Sequence, residues 1–287
     1  MNLRDWIGRS VTESDTVTPT PYAALAATFD RDPKRPAAGT PLPPLWHWLY
    51  FLPLYRRSDV GPDGHARRGG FLPPVELPRR MWAGSQIEFH APLRVGDAIV
   101  RTSTIHDVTE KSGRTGPLVF VKVRHEVRRA DDGANVLTEF HDIVYREAPK
   151  PTDVAPPPVP ASSSSAWERK WIPDDVLLFR YSALTLNGHR IHYDRKYVTE
   201  VEGYPGLVVH GPMLATLMLE LLRDQLPGAT VTRYEFRAMR PVFDINPFWV
   251  CGEPQAGGKT VKLWVRDHEG AQNMVATAEV ANGGQAA

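Results

Sequence analysis

Gly211–Gln225 reads GPMLATLMLELLRDQ, and this stretch decides the fold. Met213, Leu214, Leu217, Met218, Leu221 and Leu222 recur at helical spacing on one broad apolar face. Pro212 suits the first turn of a helix, and Pro227-Gly228 stop it. The helix should be a rod of roughly 22 Å. Strand-like segments follow at Thr230–Ala238, Phe248–Pro254, Thr260–Arg266 and Asn273–Ala281, broken by turns at Gln255–Gly258 and His268–Gly270. One helix followed by a meander of strands calls for an α+β unit in which the sheet buries the helix.

Working towards the N-terminus, the same order recurs. An apolar helix is expected over Leu45–Leu54 (LWHWLYFLPL). Strands are expected at Ser85–Ala91, Asp97–Val108, Leu118–Arg129 and Asn135–Arg146, with turns at Arg94–Gly96, Ser112–Gly116 and Asp131–Gly133. IEFHAPLRVGD (Ile87–Asp97) resembles YEFRAMRPVFD (Tyr234–Asp244), and each follows its helix. Between these similar parts lies PKPTDVAPPPVPASSSS, Pro149–Ser165, whose prolines and serines read as an exposed connector. The organisation is therefore an N-terminal half over 1–148, a linker over 149–165 and a C-terminal half over 166–287. The stretch Tyr55–Arg80 (YRRSDVGPDGHARRGGFLPPVELPRR) is long and irregular, and such a loop within a compact domain is more often functional than idle.

The 287 residues are 42% apolar, enough for a substantial core, and the net charge of +1 offers no global field for nucleic acid or an anionic membrane. The single cysteine, Cys251, excludes a disulfide framework and reads as a small buried hydrophobe. The N-terminus lacks the apolar core of a signal peptide, and no run approaches the ~18 apolar residues that span a bilayer. A soluble, cytoplasmic protein is expected. No redox-cofactor or nucleic-acid motif is evident.

Chemistry concentrates in FRYSALTLNGHRIHYD (Phe179–Asp194) and, shortly after it, GLVVHGPMLA (Gly206–Ala215). The pair resembles the hydratase motif of the MaoC-like, R-specific enoyl-CoA hydratases. RYSALTLNGHRIHYD with VVHGP, together with GPDGHARRGGFLPP (61–74) and RRMWAGSQIEFHAPLRVGD (79–97), is more similar to one branch of that family. This is the hydroxyacyl-thioester dehydratase type 2 branch, which contains mitochondrial dehydratases and bacterial mesaconyl-C4-CoA (3-methylfumaryl-CoA) hydratases. The resemblance implies a double hotdog fold, two tandem halves each wrapping a sheet around a helix. It also implies a hydro-lyase acting on an acyl-CoA.

Under the resemblance His192 matches the catalytic histidine. Asn187 stands where the general motif has aspartate, and His189 where it has asparagine. A neutral amide orients water but takes no proton from it, so the base is His192, with His189, Asp194 or His210 as candidates to assist. Chemistry agrees, because hydrating an enoyl thioester needs a near-neutral base at C3 and donors for the enolate oxygen. Gly211 opens the central helix and offers an unsatisfied N–H at its positive end. His210, just before it, reads mainly as a cap. Asp97 and Asp244 read as turn formers. His189, His192 and Asp194 could also ligate a metal, but nothing specific supports that, and no metal or cofactor is expected beyond the CoA of the substrate.

CoA phosphates and a free acyl carboxylate call for basic groups: Arg180, Arg190 and Arg195 beside the motif, and Arg67, Arg68, Arg79, Arg80 and His65 in the N-terminal loop. The N-terminal half lacks the motif and should supply the acyl pocket, with Trp46, Trp48 and Phe51 able to line it or simply to fill the core. The expected substrate is a short, branched, dicarboxylic enoyl-CoA of mesaconyl-C4-CoA or itaconyl-CoA type. The alternatives are a 3-hydroxyacyl-thioester dehydratase of fatty-acid synthesis and a hotdog thioesterase. Fused halves already imitate a hotdog dimer, and further pairing into a homo-oligomer through sheet edges is open.

Overall fold

The apolar stripe of Gly211–Gln225 becomes helix α4, with every residue from Met213 to Leu222 buried. In the computed structural model, which describes residues 2–113, 116–148 and 157–281, α4 is the fourth helix. It follows α1 (Pro19–Thr28), α2 (Asp175–Leu184) and α3 (Arg195–Glu200). Fully burying a Leu or Met side chain is worth about 1.5–3 kcal/mol, so α4 anchors its half of the molecule. It packs chiefly on β8 (Phe248–Pro254), and also on β6 (Trp167–Trp171), β9 (Thr260–Arg266) and β10 (Gln272–Ala281).

The remaining strands are β1 (Ser10–Thr16), β2 (Arg79–Phe89), β3 (Ala98–Gly113), β4 (Gly116–Arg129), β5 (Asn135–Arg146) and β7 (Thr230–Ala238). All ten form one antiparallel sheet in the order β1-β3-β4-β5-β2-β7-β10-β9-β8-β6. The order is a mirror image about the β2–β7 seam. Ile87 pairs with Tyr234 across that seam, and these are the first residues of the two similar segments IEFHAPLRVGD and YEFRAMRPVFD. Equivalent positions that face each other define a local two-fold axis, as in a symmetric dimer. The seam is tight. A Cβ on Gly84 would lie 2.2 Å from the Phe236 carbonyl oxygen.

Two expectations are corrected. LWHWLYFLPL is not a helix but a single 3₁₀ turn, Trp46–Leu49. Leu45 and Phe51 both take left-handed backbone angles (φ 70° and 54°), and Pro53 follows, so no helix can extend. Among its described residues the N-terminal half therefore has no counterpart of α4. Part of its sheet packs instead on Phe71, Leu72 and Leu77 of the irregular stretch, over a second core of Val75, Ile105, Val108, Val119, Val121, Val123, Ile143 and Tyr145. Secondly, β2 starts at Arg79, six residues before the expected Ser85, while β1, β6, α1, α2 and α3 were not expected as elements.

Of the proline- and serine-rich connector, residues 149–156 lie outside the described residues, as do 114 and 115 of the expected Ser112–Gly116 turn. From Pro157 onward the connector has no helix or strand, and Val159 and Ala161 bond to Gln272 and Gly270. Among the described residues, no helix is long and apolar enough to cross a membrane. Cys251 is buried, and its thiol is pushed up to about 11, chiefly by that burial.

Candidate active site

The FRYSALTLNGHRIHYD segment folds as α2 followed by a tight descent. Asp174 caps α2 by accepting the Leu177 N–H at 2.7 Å. Leu186 then turns into the left-handed region, and the Asn187 N–H returns to the Ser182 carbonyl at 2.8 Å. One short 3₁₀ turn, Arg190–His192, delivers His192 into the protein, where it is only 7% exposed. Asp194 caps α3 through the Tyr197 N–H and is held by the Arg190 guanidinium at 2.7 Å. Its two oxygens are thus engaged as a cap and as an ion-pair partner.

VVHGP docks on this turn by a reciprocal pair of hydrogen bonds. The Val208 N–H donates to the Ile191 carbonyl at 3.0 Å, and His192 Nδ1 donates to the Val208 carbonyl at 2.7 Å. A carbonyl accepts only, so the His192 proton sits on Nδ1 and Nε2 keeps its lone pair. Burial lowers the His192 pKa to about 4, with the Val208 bond opposing. The ring is therefore neutral, and an acceptor, throughout the physiological range.

His210 stacks on His192 with ring centroids 3.8 Å apart and planes at 17°. Its Nε2 meets Ser182 Oγ at 2.8 Å, and burial pushes its pKa well down. It occupies the N-cap position of α4, but its side chain makes no capping bond, so the expected capping role is not filled that way. It is instead the plate that fixes the His192 ring. Gly211 opens α4 immediately afterwards. A Cβ there would meet nothing nearer than Met274 Cε at 3.9 Å, so a methyl at this position has room.

The N-terminal half enters the site through Gly61–His65. The Arg190 N–H donates to the Asp63 carbonyl and Arg190 Nη1 to the Pro62 carbonyl, both at 2.9 Å. Gly64 (φ +92°) lies against Gly188 so closely that a Cβ would fall 1.7 Å from the Gly188 oxygen. His65 is bonded to Asp63 through Nδ1 at 3.0 Å. The His65 ring lies 4.0 Å from that of His189, which stands edge-on to His192 at 5.5 Å. The His65 bond holds Asp63 well below the usual carboxylate range, while burial lowers both His65 and His189. Asp63, His65 and His189 present ligand atoms within 4.8 Å of one another, a group able to hold a metal ion, and different from the His189, His192 and Asp194 set.

Asn187 Oδ1 accepts the His189 N–H at 3.0 Å. Several arginines are already committed. Arg195 pairs with Asp175 and Asp244, Arg68 binds the Val75 and Pro78 carbonyls, and Arg79 binds Glu202 and Tyr204. Arg190 is held by Asp194. Among the described residues Arg67, Arg80 and Arg180 make no ion pair, and Arg80 acts electrostatically on His65 and His189. Asp97 makes the turn bond expected of it, to the Arg94 N–H at 2.8 Å, and Asp244 accepts the Leu207 N–H at 2.8 Å. Trp46 and Phe51 are core, and Trp48 Nε1 donates to the buried Glu139 at 3.1 Å. Sequence reasoning missed Asp63 and Ser182. The first carried a local signal, an acid two residues before a histidine in a turn. The second carried none.

With this geometry in hand the comparisons are decisive. Residues 45–244 match the family described as hydroxyacyl-thioester dehydratase type 2. The chain belongs to this family. It is 45% identical over 279 residues to mesaconyl-C(4)-CoA hydratase of Chloroflexus aurantiacus, covering 96% of each chain. It is 27% identical over 251 residues to the mitochondrial hydroxyacyl-thioester dehydratase type 2 of Schizosaccharomyces pombe, covering 79% of this chain and 81% of that one. Among solved structures, a MaoC-like dehydratase superposes with a TM-score of 0.73 at 15% identity, covering 97% of this chain and 99% of the other. HtdX of Mycobacterium tuberculosis gives 0.65 at 19%, covering 94% and 99%. At those identities the likeness shows the fold, and the fold of this family member is a double hotdog.

Proposed function

We propose that this family member hydrates the C2=C3 double bond of a short, branched, dicarboxylic enoyl-CoA of the mesaconyl-C4-CoA type. The observation that carries the chemistry is the His192–Val208 bond, which leaves an unprotonated Nε2 in a buried ring stacked against the N-cap of α4. In this reading His192 and Asn187 hold a water. His192 Nε2 takes its proton as the oxygen bonds to C3. The Gly211 N–H stabilises the enolate oxygen of the thioester, a role typically worth ~10²–10³ in rate. The imidazolium returns the proton to C2. His210 and His189 support the rings, and no metal or cofactor is required.

The substrate assignment follows the relative's name and the surplus of cations. Arg80, Arg67 and Arg180 are the candidates for the acyl carboxylate and the CoA phosphates, whereas Arg68, Arg190 and Arg195 are committed to internal partners and His65 is bonded to Asp63 with its pKa lowered by burial. The C-terminal half, 166–287, carries the reaction, and the N-terminal half, 1–148, shapes the acyl pocket. The outer edges of β1 and β6 are where copies would pair into a homo-oligomer. The family name favours the reverse reaction, dehydration of a 3-hydroxyacyl thioester, as the second reading, and the site serves both directions.

The test is loss of enoyl-thioester absorbance with mesaconyl-C4-CoA, itaconyl-CoA and crotonyl-CoA, and with His192→Ala as control. Turnover of a dicarboxylic substrate that the substitution abolishes is expected. Turnover of crotonyl-CoA or longer chains alone would move the substrate to fatty-acid metabolism, and no turnover by folded protein would refute the chemistry.

A further inference from the structure

An attacking water carries two O–H bonds, and both need acceptors if its lone pair is to be aimed at C3. His192 Nε2 supplies one. Asn187 offers only part of what is needed: one lone pair of its carbonyl oxygen already receives the His189 N–H, and its nitrogen only donates. Within the cluster a further acceptor exists. His65 Nδ1 lies 3.0 Å from Asp63 Oδ2, and an ionised carboxylate only accepts. The His65 proton is therefore on Nδ1 and Nε2 has a free lone pair, the same tautomer that the Val208 carbonyl imposes on His192.

Its placement is built into the fold. Asp63 Oδ1 takes the His65 N–H at 3.0 Å, closing the turn on itself. The Asp63 and Pro62 carbonyls are clamped by Arg190, two residues before His192. The Gly64–Gly188 contact admits no side chain on either strand of the junction, since a Cβ on Gly188 would also lie only 2.7 Å from the Gly64 oxygen. A solvent-exposed turn needs none of this. The outcome is a row of rings, His65 on His189 and His189 edge-on to His192, contributed by both halves of the chain.

We propose that His65 is the second acceptor for the attacking water, and that Asp63 is the residue that positions it. The proposal rests on the hydratase reading. One O–H of the water points to His65 Nε2 and stays with the oxygen, becoming the product hydroxyl. The other proton passes to His192 Nε2 as the oxygen bonds to C3 and the C2=C3 electron pair moves into the enolate. That proton then returns from His192 to C2, and the thioester carbonyl re-forms.

The experiment compares wild type, His65→Ala, His65→Gln, Asp63→Asn and the Asp63→Asn/His65→Ala double variant in the absorbance assay, with thermal melting of each. Removing His65 should lower kcat by ~10²–10⁴ with little change in KM, the range for a group placed on the reacting proton or water. Glutamine, whose side-chain oxygen accepts, should recover part of the loss. Asp63→Asn should lower kcat in the wild-type background but cost nothing further once His65 is gone, because Asp63 acts through that ring. Unchanged kcat in His65→Ala, beside an active wild type, overturns the proposal and leaves the hydratase reading standing. Additive losses that follow the melting temperature also overturn it, by reducing the dyad to scaffold. So does activity removed by EDTA and restored by zinc, which would make Asp63, His65 and His189 a metal site. A wild type inert to every enoyl thioester removes both readings together.

Discussion

Lowering the pH from 7 to 5 should destabilise this protein well before it titrates its base. Burial lowers the pKa of His192 to about 4, of His141 to about 4 and of His125 to about 3, against an ordinary imidazole value of about 6.5 in the unfolded chain. Folded values below the unfolded ones mean that the unfolded state binds the extra protons. The stability these rings contribute is complete above about pH 6.5 and is lost as pH falls from there towards 4. Between pH 7 and 5 the loss is about 2 kcal/mol for His192 alone, and about 6 kcal/mol when His125 and His141 count in full. That is a large share of the 5–15 kcal/mol typical of a whole domain. Asp63, held low by its bond to His65, adds its own loss only further into acid. Urea unfolding at pH 5, 6 and 7 and constant ionic strength measures the effect, and His192→Gln should remove about 2 kcal/mol of the pH dependence. Initial rates taken before unfolding should stay level over the same interval, since His192 remains an acceptor. A stability that is flat between pH 7 and 5, or an NMR titration of His192 near 6.5, would refute the reasoning.

Other sites give sharper local outcomes. Gly211→Ala should keep or slightly raise the melting temperature, because a methyl there has room and alanine restricts the unfolded chain, yet it should depress kcat by crowding the thioester oxygen; unchanged activity would remove Gly211 from the site. Gly64→Ala places a methyl on the Gly188 oxygen at a left-handed backbone, so activity should fall with a stability loss of about 1–3 kcal/mol, read by urea titration. Glu220 is 3% exposed and neutralises Arg31 and Arg223 while accepting from Trp46 Nε1 at 3.0 Å; Glu220→Ala should cost about 1–3 kcal/mol in the same titration, by leaving Arg223 without its carboxylate and Trp46 Nε1 without its acceptor while Arg31 keeps Asp224.

Much of this was legible before any coordinates. Gly211–Gln225, Asn135–Arg146, Thr230–Ala238, Phe248–Pro254 and Thr260–Arg266 fall where periodicity and turn residues place them, because each carries its own pattern and its own stops. The short edge strands β1 and β6 escaped because SVTESDT is almost wholly polar and WERKW is only five residues long, with an arginine between its two inward tryptophans. LWHWLYFLPL misled because apolar composition marks burial rather than helix, and its fate was settled by two left-handed residues that local propensity does not reveal. In the site, His192, Asn187 and Gly211 stood in readable motifs. Which face of the 55–80 loop mattered did not, since the Gly64–Gly188 contact joins residues far apart in the chain and is visible only once both halves are packed.

The mirrored strand order about the β2–β7 seam carries a further consequence. In a dimer of two identical chains every substitution lands twice, so neither copy can give up its helix or its base without the other doing the same. Covalent joining ends that obligation. Here one half could trade its α4 counterpart for Phe71–Leu77 and Gly61–His65 while the other kept an intact helix end and the VVHGP segment. Under the proposed function, the price of that freedom is a single productive centre per chain, and its return is a site whose two sides can be altered independently of each other.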